Sequence, residues 1–185
     1  MRDLIVAKVG GSLYDWPGLG DVLRSWLASV GGCDVMLIPG GGATADVIRD
    51  FHRTHPLDEH ASHWLAIHAL SLNARFLQWL VPESRVTADR AAGVTILDAW
   101  PFFDADERRP DPLPHSWQVT SDSLAVRAAV LLGARELILL KSIDWSGADW
   151  REASQAGVVD GYFPEAMAQA PATLEVRVVN LRTRQ

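Results

Sequence analysis

The chain has 185 residues, 48% hydrophobic and 22% charged, with 17 basic against 23 acidic side chains and a formal net charge of −6. That suits one folded domain with its own core and excludes a disordered segment. With no dense Lys/Arg block, no run of 18 apolar residues and a single cysteine, Cys33, the sequence speaks against nucleic-acid binding, a membrane span, a signal peptide, an internal disulfide and a cysteine zinc cluster.

Leu4 to Val9 is a short apolar run ended by Gly10-Gly11, the pattern of a buried parallel strand breaking into a turn. Leu19, Val22, Leu23, Trp26, Leu27 and Val30 recur at helical spacing and predict a helix over 18–30. Val35 to Pro39 is a second buried strand, closed by Gly40-Gly41-Gly42, and Ala43 to Arg53 follows as a helix with Val47, Ile48 and Phe51 on one side. Asp58 can cap a longer helix whose apolar face carries Trp64, Leu65, Leu72, Phe76 and Leu80, with Pro82 past its end.

Val94 to Leu97 is a third strand, and Ala99 to Pro114, with four prolines and several charges, reads as a surface loop with no element over 104–114. Thr120-Ser121-Asp122 starts a helix that Gly133 stops, and Glu136 to Leu140 is a fourth strand. A short helix near Pro164 and a last strand from Leu174 to Val179 complete the chain. Strands alternating with helices predict a mostly parallel sheet covered on both faces, with ligands at the carboxyl ends of its strands.

Four motifs fall at those ends. Lys8 sits inside an apolar strand two residues before Gly10-Gly11-Ser12; a buried ammonium needs an anion, and glycines bare backbone N–H groups to one, so phosphate is the natural guest. A lysine reaching solvent from an edge strand is the plainer alternative. Gly40, Gly41 and Gly42 open a helix, whose free N–H groups attract anions. Asp122, in a Thr-Ser-Asp-Ser run that also makes an ordinary helix cap, has the reach to bond the Lys8 ammonium. Lys141-Ser142-Ile143-Asp144 follows the fourth strand, where Lys141 meets a nucleotide phosphate or simply solvent. Neither a Walker P-loop nor a dinucleotide fingerprint is present.

The ordered set Lys8-Val-Gly-Gly-Ser12, Pro39-Gly-Gly-Gly42, Thr120-Ser-Asp122 and Leu139-Leu-Lys141 resembles the amino acid kinase family, which includes acetylglutamate, aspartate, carbamate, uridylate and isopentenyl phosphate kinases. The resemblance runs from Leu4 to about Gly161. It implies an α/β fold, a three-layer α/β/α sandwich with a mostly parallel central sheet, made by residues 1–185 as one C-terminally short domain. It also implies a cytoplasmic kinase that uses ATP carrying Mg²⁺ and phosphorylates a small-molecule acceptor.

Under that resemblance Lys8, Asp122 and Lys141 are the catalytic set, with Asp122 orienting the lysines. Gly10, Gly11 and Ser12 hold the ATP phosphates, and Ser142 and Asp144 lie on the nucleotide side. Gly40, Gly41, Gly42 and Thr120 face the acceptor, no residue is a metal ligand, and a homodimer forms through the helix after the second glycine turn. The short length and the Asp160-Gly-Tyr-Phe-Pro164 stretch look most like a compact subgroup that phosphorylates an aminomethylfuran phosphate in methanofuran-type cofactor synthesis.

The chain departs from the family where relatives carry a glycine-rich stretch with a second catalytic lysine: Gly157 to Glu165 has none. Either Lys141 substitutes, or the chain is a nucleotide or metabolite sensor without catalysis; a structural subunit is a further alternative. His52, His55, His60, His63 and His68 read as surface residues, with acceptor contacts or a His60/His63 metal pair as alternatives. Trp26, Trp64 and Trp79 read as core, Trp100 as part of a loop, and Trp145 and Trp150 as loop residues, one of them a candidate adenine-stacking ring.

Overall fold

Leu4–Val9 form the central strand β1, buried at every position. In the computed structural model, which describes residues 2–183, β1 lies between β2 (Asp34–Pro39) and β5 (Glu136–Lys141), both parallel to it and buried throughout. Beyond β2 come β4 (Val94–Leu97) and the short edge strand β3 (Arg85–Thr87); beyond β5 comes β6 (Glu175–Asn180). The order is β3-β4-β2-β1-β5-β6, all parallel. The chain steps from β1 outward to one side, then returns to β5 on the other. A crevice therefore opens at the carboxyl ends of β1 and β5.

Helices cover both faces, giving the α/β/α sandwich: α1 (Leu19–Ser29), α2 (Gly42–Thr54), α3 (Glu59–Leu80), α4 (Ala99–Asp106), α5 (Ser121–Leu132), α6 (Trp150–Gln155) and α7 (Phe163–Gln169). Successive strand residues point to opposite faces, so β1 feeds two separate cores. Ile5, Ala7 and Val9 pack with Leu19, Leu23 and Trp26 of α1, while Leu4 and Val6 pack with Leu124 and Ala128 of α5. Lys8 shares the parity of Leu4 and Val6, and Lys141 that of Leu137 and Leu139, so both lysines project toward α5.

Four departures from sequence expectation concern the elements and their packing faces. The region read as loop from Ala99 contains α4, because Phe103 is buried and Asp106, 3% exposed, receives a two-pronged ion pair from Arg127 of α5 at 2.7 and 2.9 Å. Trp100 accordingly lies in a helix, stacked on His68 at 5.4 Å. The elements β3 and α6 have no counterpart in the sequence reading; three and six residues are too few for a periodic signal.

The fourth departure is the apolar face assigned to α3. Its buried side is Ile67, Leu70, Ala74 and Leu77, whereas Leu65, Leu72, Phe76 and Trp79 are exposed, Trp79 at 76%. On α2, Val47 and Phe51 are exposed too. Trp26 is core as expected, and Trp64 packs, partly buried, against the other core, the one that holds Ile67 and Leu70. Periodicity marks an apolar stripe but does not say whether the chain's own sheet covers it. Among the described residues no helix is long and apolar enough to cross a membrane.

Candidate active site

The last turns of β1 and β2 interlock through bare backbone. A side chain at Gly11 would run into the Gly42 backbone, and one at Gly40 into the Val9 carbonyl and the Gly11 amide. Gly42 opens α2 with φ of +54°, a conformation glycine adopts without strain. Two side chains fix this junction. The Tyr14 hydroxyl accepts from the Gly40 amide at 2.8 Å, and burial pushes its pKa up, so it stays protonated. Asn73 of α3, 5% exposed, donates to the Gly40 and Gly41 carbonyls at 2.8 Å each.

Beside the junction, the Asp122 carboxylate in the first turn of α5 bridges two ammonium groups. Lys8 Nζ lies 2.9 Å from Oδ1, and Lys141 Nζ lies 2.7 Å from Oδ1 and 2.9 Å from Oδ2. All three residues are less than a tenth exposed. Burial works against ionisation of Asp122, but the two ammonium charges outweigh it and hold its carboxyl below the usual range. The helix N-terminus adds to that preference. Lys141 is pulled down to about 8 by burial and by Lys8, with Asp122 opposing. Two cations sharing one carboxylate leave a positive charge that a phosphate complements.

Above this triad opens a cavity of about 270 Å³ with both lysines in its lining. Lys8, Lys141, Gly10, Gly11 and Ser12 line one end. Gly41, Gly42, Thr120 and Ser121 line the middle, and Arg49 and Asp46 of α2, His63 of α3 and Trp117 form the other end. Arg49 pairs with Asp46 at 2.7 Å and lies 5.0 Å over the Trp117 ring. His63, 8% exposed, is pulled down to about 4 by burial and by the neighbouring His115 and His60 rings, so it is neutral across the physiological range.

Of the twelve residues expected at the site, eight line this cavity: Lys8, Gly10, Gly11, Ser12, Gly41, Gly42, Thr120 and Lys141. Asp122 lies beneath it, between the lysines, and Gly40 lies behind it in the backbone junction. Ser142 is one step away, its hydroxyl 2.9 Å from that of Ser12, and Asp144 is exposed in the following loop. Lys141 is not the loop residue that sequence suggested; it ends β5 and is 8% exposed. Trp150 packs edge-on against Phe163 at 5.1 Å, and Trp145 and Trp150 both lie partly buried against the same core.

Sequence reasoning missed Arg49, Trp117, Asn73 and Asp160, whose carboxylate holds the start of α5. One signal was available. Lys8 and Lys141 are the only lysines in the chain, all other basic residues being the fifteen arginines, so every ammonium side chain it owns meets at this carboxylate.

The amino acid kinase family model matches residues 3–144. This chain belongs to the amino acid kinase family. Among curated proteins it is 27% identical to the [5-(aminomethyl)furan-3-yl]methyl phosphate kinase of Methanocaldococcus jannaschii, over 75% of this chain and 66% of that relative, a little under two thirds of its length. Uridylate kinase from Archaeoglobus fulgidus superposes with a TM-score of 0.63 at 16% identity, over 100% of this chain and 94% of that one. Aspartate kinase from Synechocystis superposes with a TM-score of 0.61 at 17% identity, over 95% of this chain and 38% of that one. Those likenesses establish that this amino acid kinase family member has the fold of its relatives. The match of the family model ends at the loop after β5, so α6, α7 and β6 lie beyond it.

Proposed function

We propose that this protein transfers the γ-phosphoryl group of ATP to a small acceptor that already carries a phosphate monoester. The observation that carries the reading is the Asp122 carboxylate bridging the chain's two lysine ammonium groups at the floor of an open cavity. Lys8, Lys141 and the Gly11 amide suit the β- and γ-phosphates, with Gly10, whose own amide donates to the Leu140 carbonyl at 2.8 Å, shaping the turn and Ser12, Ser142 and Asp144 on the nucleotide side. Gly41, Gly42, Thr120 and Arg49 suit the acceptor, with Gly40 as support.

An oxygen of the acceptor phosphate attacks the γ-phosphorus, the bond from that phosphorus to the β,γ-bridging oxygen breaks, and ADP leaves. The product is a diphosphate. The protein's part is to hold the two anions in line and to neutralise charge on the moving group, and no dedicated base is required. Mg²⁺ carried on the triphosphate supplies further neutralisation; the ammonium and amide donors here fit phosphate oxygens.

The relative from M. jannaschii is named for an aminomethylfuran methyl phosphate, and an acceptor of that kind fits a cavity with one guanidinium and an aromatic wall. The lack of a lysine in Gly157 to Glu165 does not reduce the charge at the triad, since Lys141 supplies the second ammonium; this favours a working kinase over a sensor. We further read residues 1–185 as one catalytic unit acting in the cytoplasm as a dimer. Val47, Phe51, Leu72, Phe76 and Trp79 form the exposed apolar surface on α2 and α3 that a second copy would cover. Sedimentation of a Trp79→Glu variant at the monomer mass, against a dimer for the parent, is the expected result.

The deciding experiment measures ADP release from ATP with aminomethylfuran phosphate, other phosphate monoesters and carboxylate acceptors in parallel. Turnover with a phosphate monoester is expected. Tight ATP binding with no turnover on any acceptor would return the sensor reading, and turnover on carboxylates alone would overturn the acceptor class.

A further inference from the structure

Asp160 has no part in the reaction as set out above, yet it is one of the most heavily bonded carboxylates in the molecule. It lies in the bend between α6 and α7, where Val159 and Phe163 are buried and the Tyr162 amide donates to the Gln118 carbonyl at 3.1 Å. Its Oδ2 accepts from the Thr120 amide, the Thr120 hydroxyl and the Ser123 amide, each at 2.9 Å, and its Oδ1 accepts from the Ser123 hydroxyl. All four donors belong to the first turn of α5. Asp122 stands between the two residues that supply them.

This is not how a helix start is ordinarily satisfied. Thr120 is the N-cap, and its own hydroxyl would normally accept from the Ser123 amide. Here that hydroxyl makes no cap bond and is turned to Asp160, which takes the Ser123 amide from across the fold. A neutral local cap would avoid burying a charge. Asp160 instead has its pKa pushed up by burial and by the Asp122 charge, against the bonds from Ser123 and Thr120. An arrangement that keeps a costly like charge near Asp122 obtains in return a first turn held at both ends by charge-assisted bonds.

We propose that Asp160 is a positioning residue for phosphoryl transfer: by clamping Thr120 and Ser123 it sets the Asp122 carboxylate, and through it the placement of the Lys8 and Lys141 ammonium groups. The proposal rests on the kinase reading for its kinetic consequence, but not for its structural one. Transfer rates respond steeply to small misplacements of the groups that hold the reactants. The clamp also ties the segment beyond the family match to the triad, so α6 and α7 take part in the site without touching it.

The test is Asp160→Asn, nearly the same shape but with one acceptor oxygen replaced by a donor, compared with Ser123→Ala, which removes one donor and leaves the carboxylate. Thermal unfolding by circular dichroism fixes the folded fraction, and kcat and the KM for ATP are measured at a temperature where both variants are folded. Asp160→Asn is expected to lower kcat by ~10- to 100-fold with the KM for ATP changed much less, and Ser123→Ala by a smaller factor. A second readout needs no turnover. Because the chain has two lysines, ¹³C-lysine labelling gives two side-chain signals, and in Asp160→Asn the Lys141 signal should titrate at lower pH than in the parent. If kcat and both lysine titrations match the parent, Asp160 is a cap and nothing more, and the proposal is overturned. If the parent itself never turns over, the kinase reading fails while the titration still decides the clamp.

Discussion

At the floor of the cavity Lys8, Asp122 and Lys141 are each less than a tenth exposed, and their partners are one another. At its far end the side chains of Arg49 and Asp46 are 44% and 68% exposed, bonded to each other one helical turn apart. The floor is made of strand ends and of glycine backbone where an added side chain would clash, whereas at the far end Arg49 and Asp46 stand on the surface of α2, beside the buried His63 of α3 and the Trp117 ring. Backbone and buried charge suit the part of the chemistry that every ATP shares. Exposed side chains that exchange one partner for another suit the part that differs between acceptors.

The sharpest way to break that division is to remove charge from the floor. Lys8→Met should lower kcat by ~10²- to 10³-fold, because a charge aimed at the moving phosphoryl group counts most in the transition state. The fold should survive, since Asp122 keeps its two contacts to Lys141. ADP release and circular dichroism on the same preparation separate the two effects. A variant that folds and turns over at the parent rate would remove Lys8 from the reaction.

The far end should respond differently. Arg49→Ala is expected to raise the KM for a phosphate acceptor by ~10-fold or more, the scale of one hydrogen bond to a charged group, with ATP binding unchanged. Exposure makes the Arg49–Asp46 pair itself nearly neutral for stability, so unfolding temperature should hardly move. A loss confined to ATP affinity would place Arg49 on the nucleotide side instead.

The same division explains what could be seen from sequence. Lys8 in an oily strand before a double glycine is anomalous in local terms, and so are three glycines opening a helix; an anion accounts for both, although an edge-strand lysine and a ligand-free turn are the plainer readings. Arg49 and Asp46 look like any surface pair at a three-residue spacing, and Trp117 reaches the cavity from a segment with no periodic pattern. Their meaning lies in contacts across the fold, as does that of Asp106, whose pairing with Arg127 turns a proline-rich stretch into α4. Asn73 and Asp160 were hidden for the same reason: each bonds residues about 30 to 40 positions away. The apolar stripe on α3 was visible, but its covering was misassigned, because the pattern is the same whether a sheet or a second copy lies against it.

The gentlest probe of the floor is pH. Lys141, held at about 8 by burial and by Lys8, loses its proton as pH rises through that value. In the free protein the fraction with two ammonium groups therefore falls above pH about 8, and kcat/KM, which reports the free protein, should fall with it. Bound triphosphate favours the ammonium form, so the same limb in kcat should lie at higher pH. His63, already neutral above pH about 4, contributes no acid limb near neutrality. Lys141→Arg supplies the control: a guanidinium keeps its charge throughout, so whatever rate remains should show no alkaline limb. An unchanged alkaline limb in that variant would mean that another group sets it, and that the second ammonium is not what the reaction titrates.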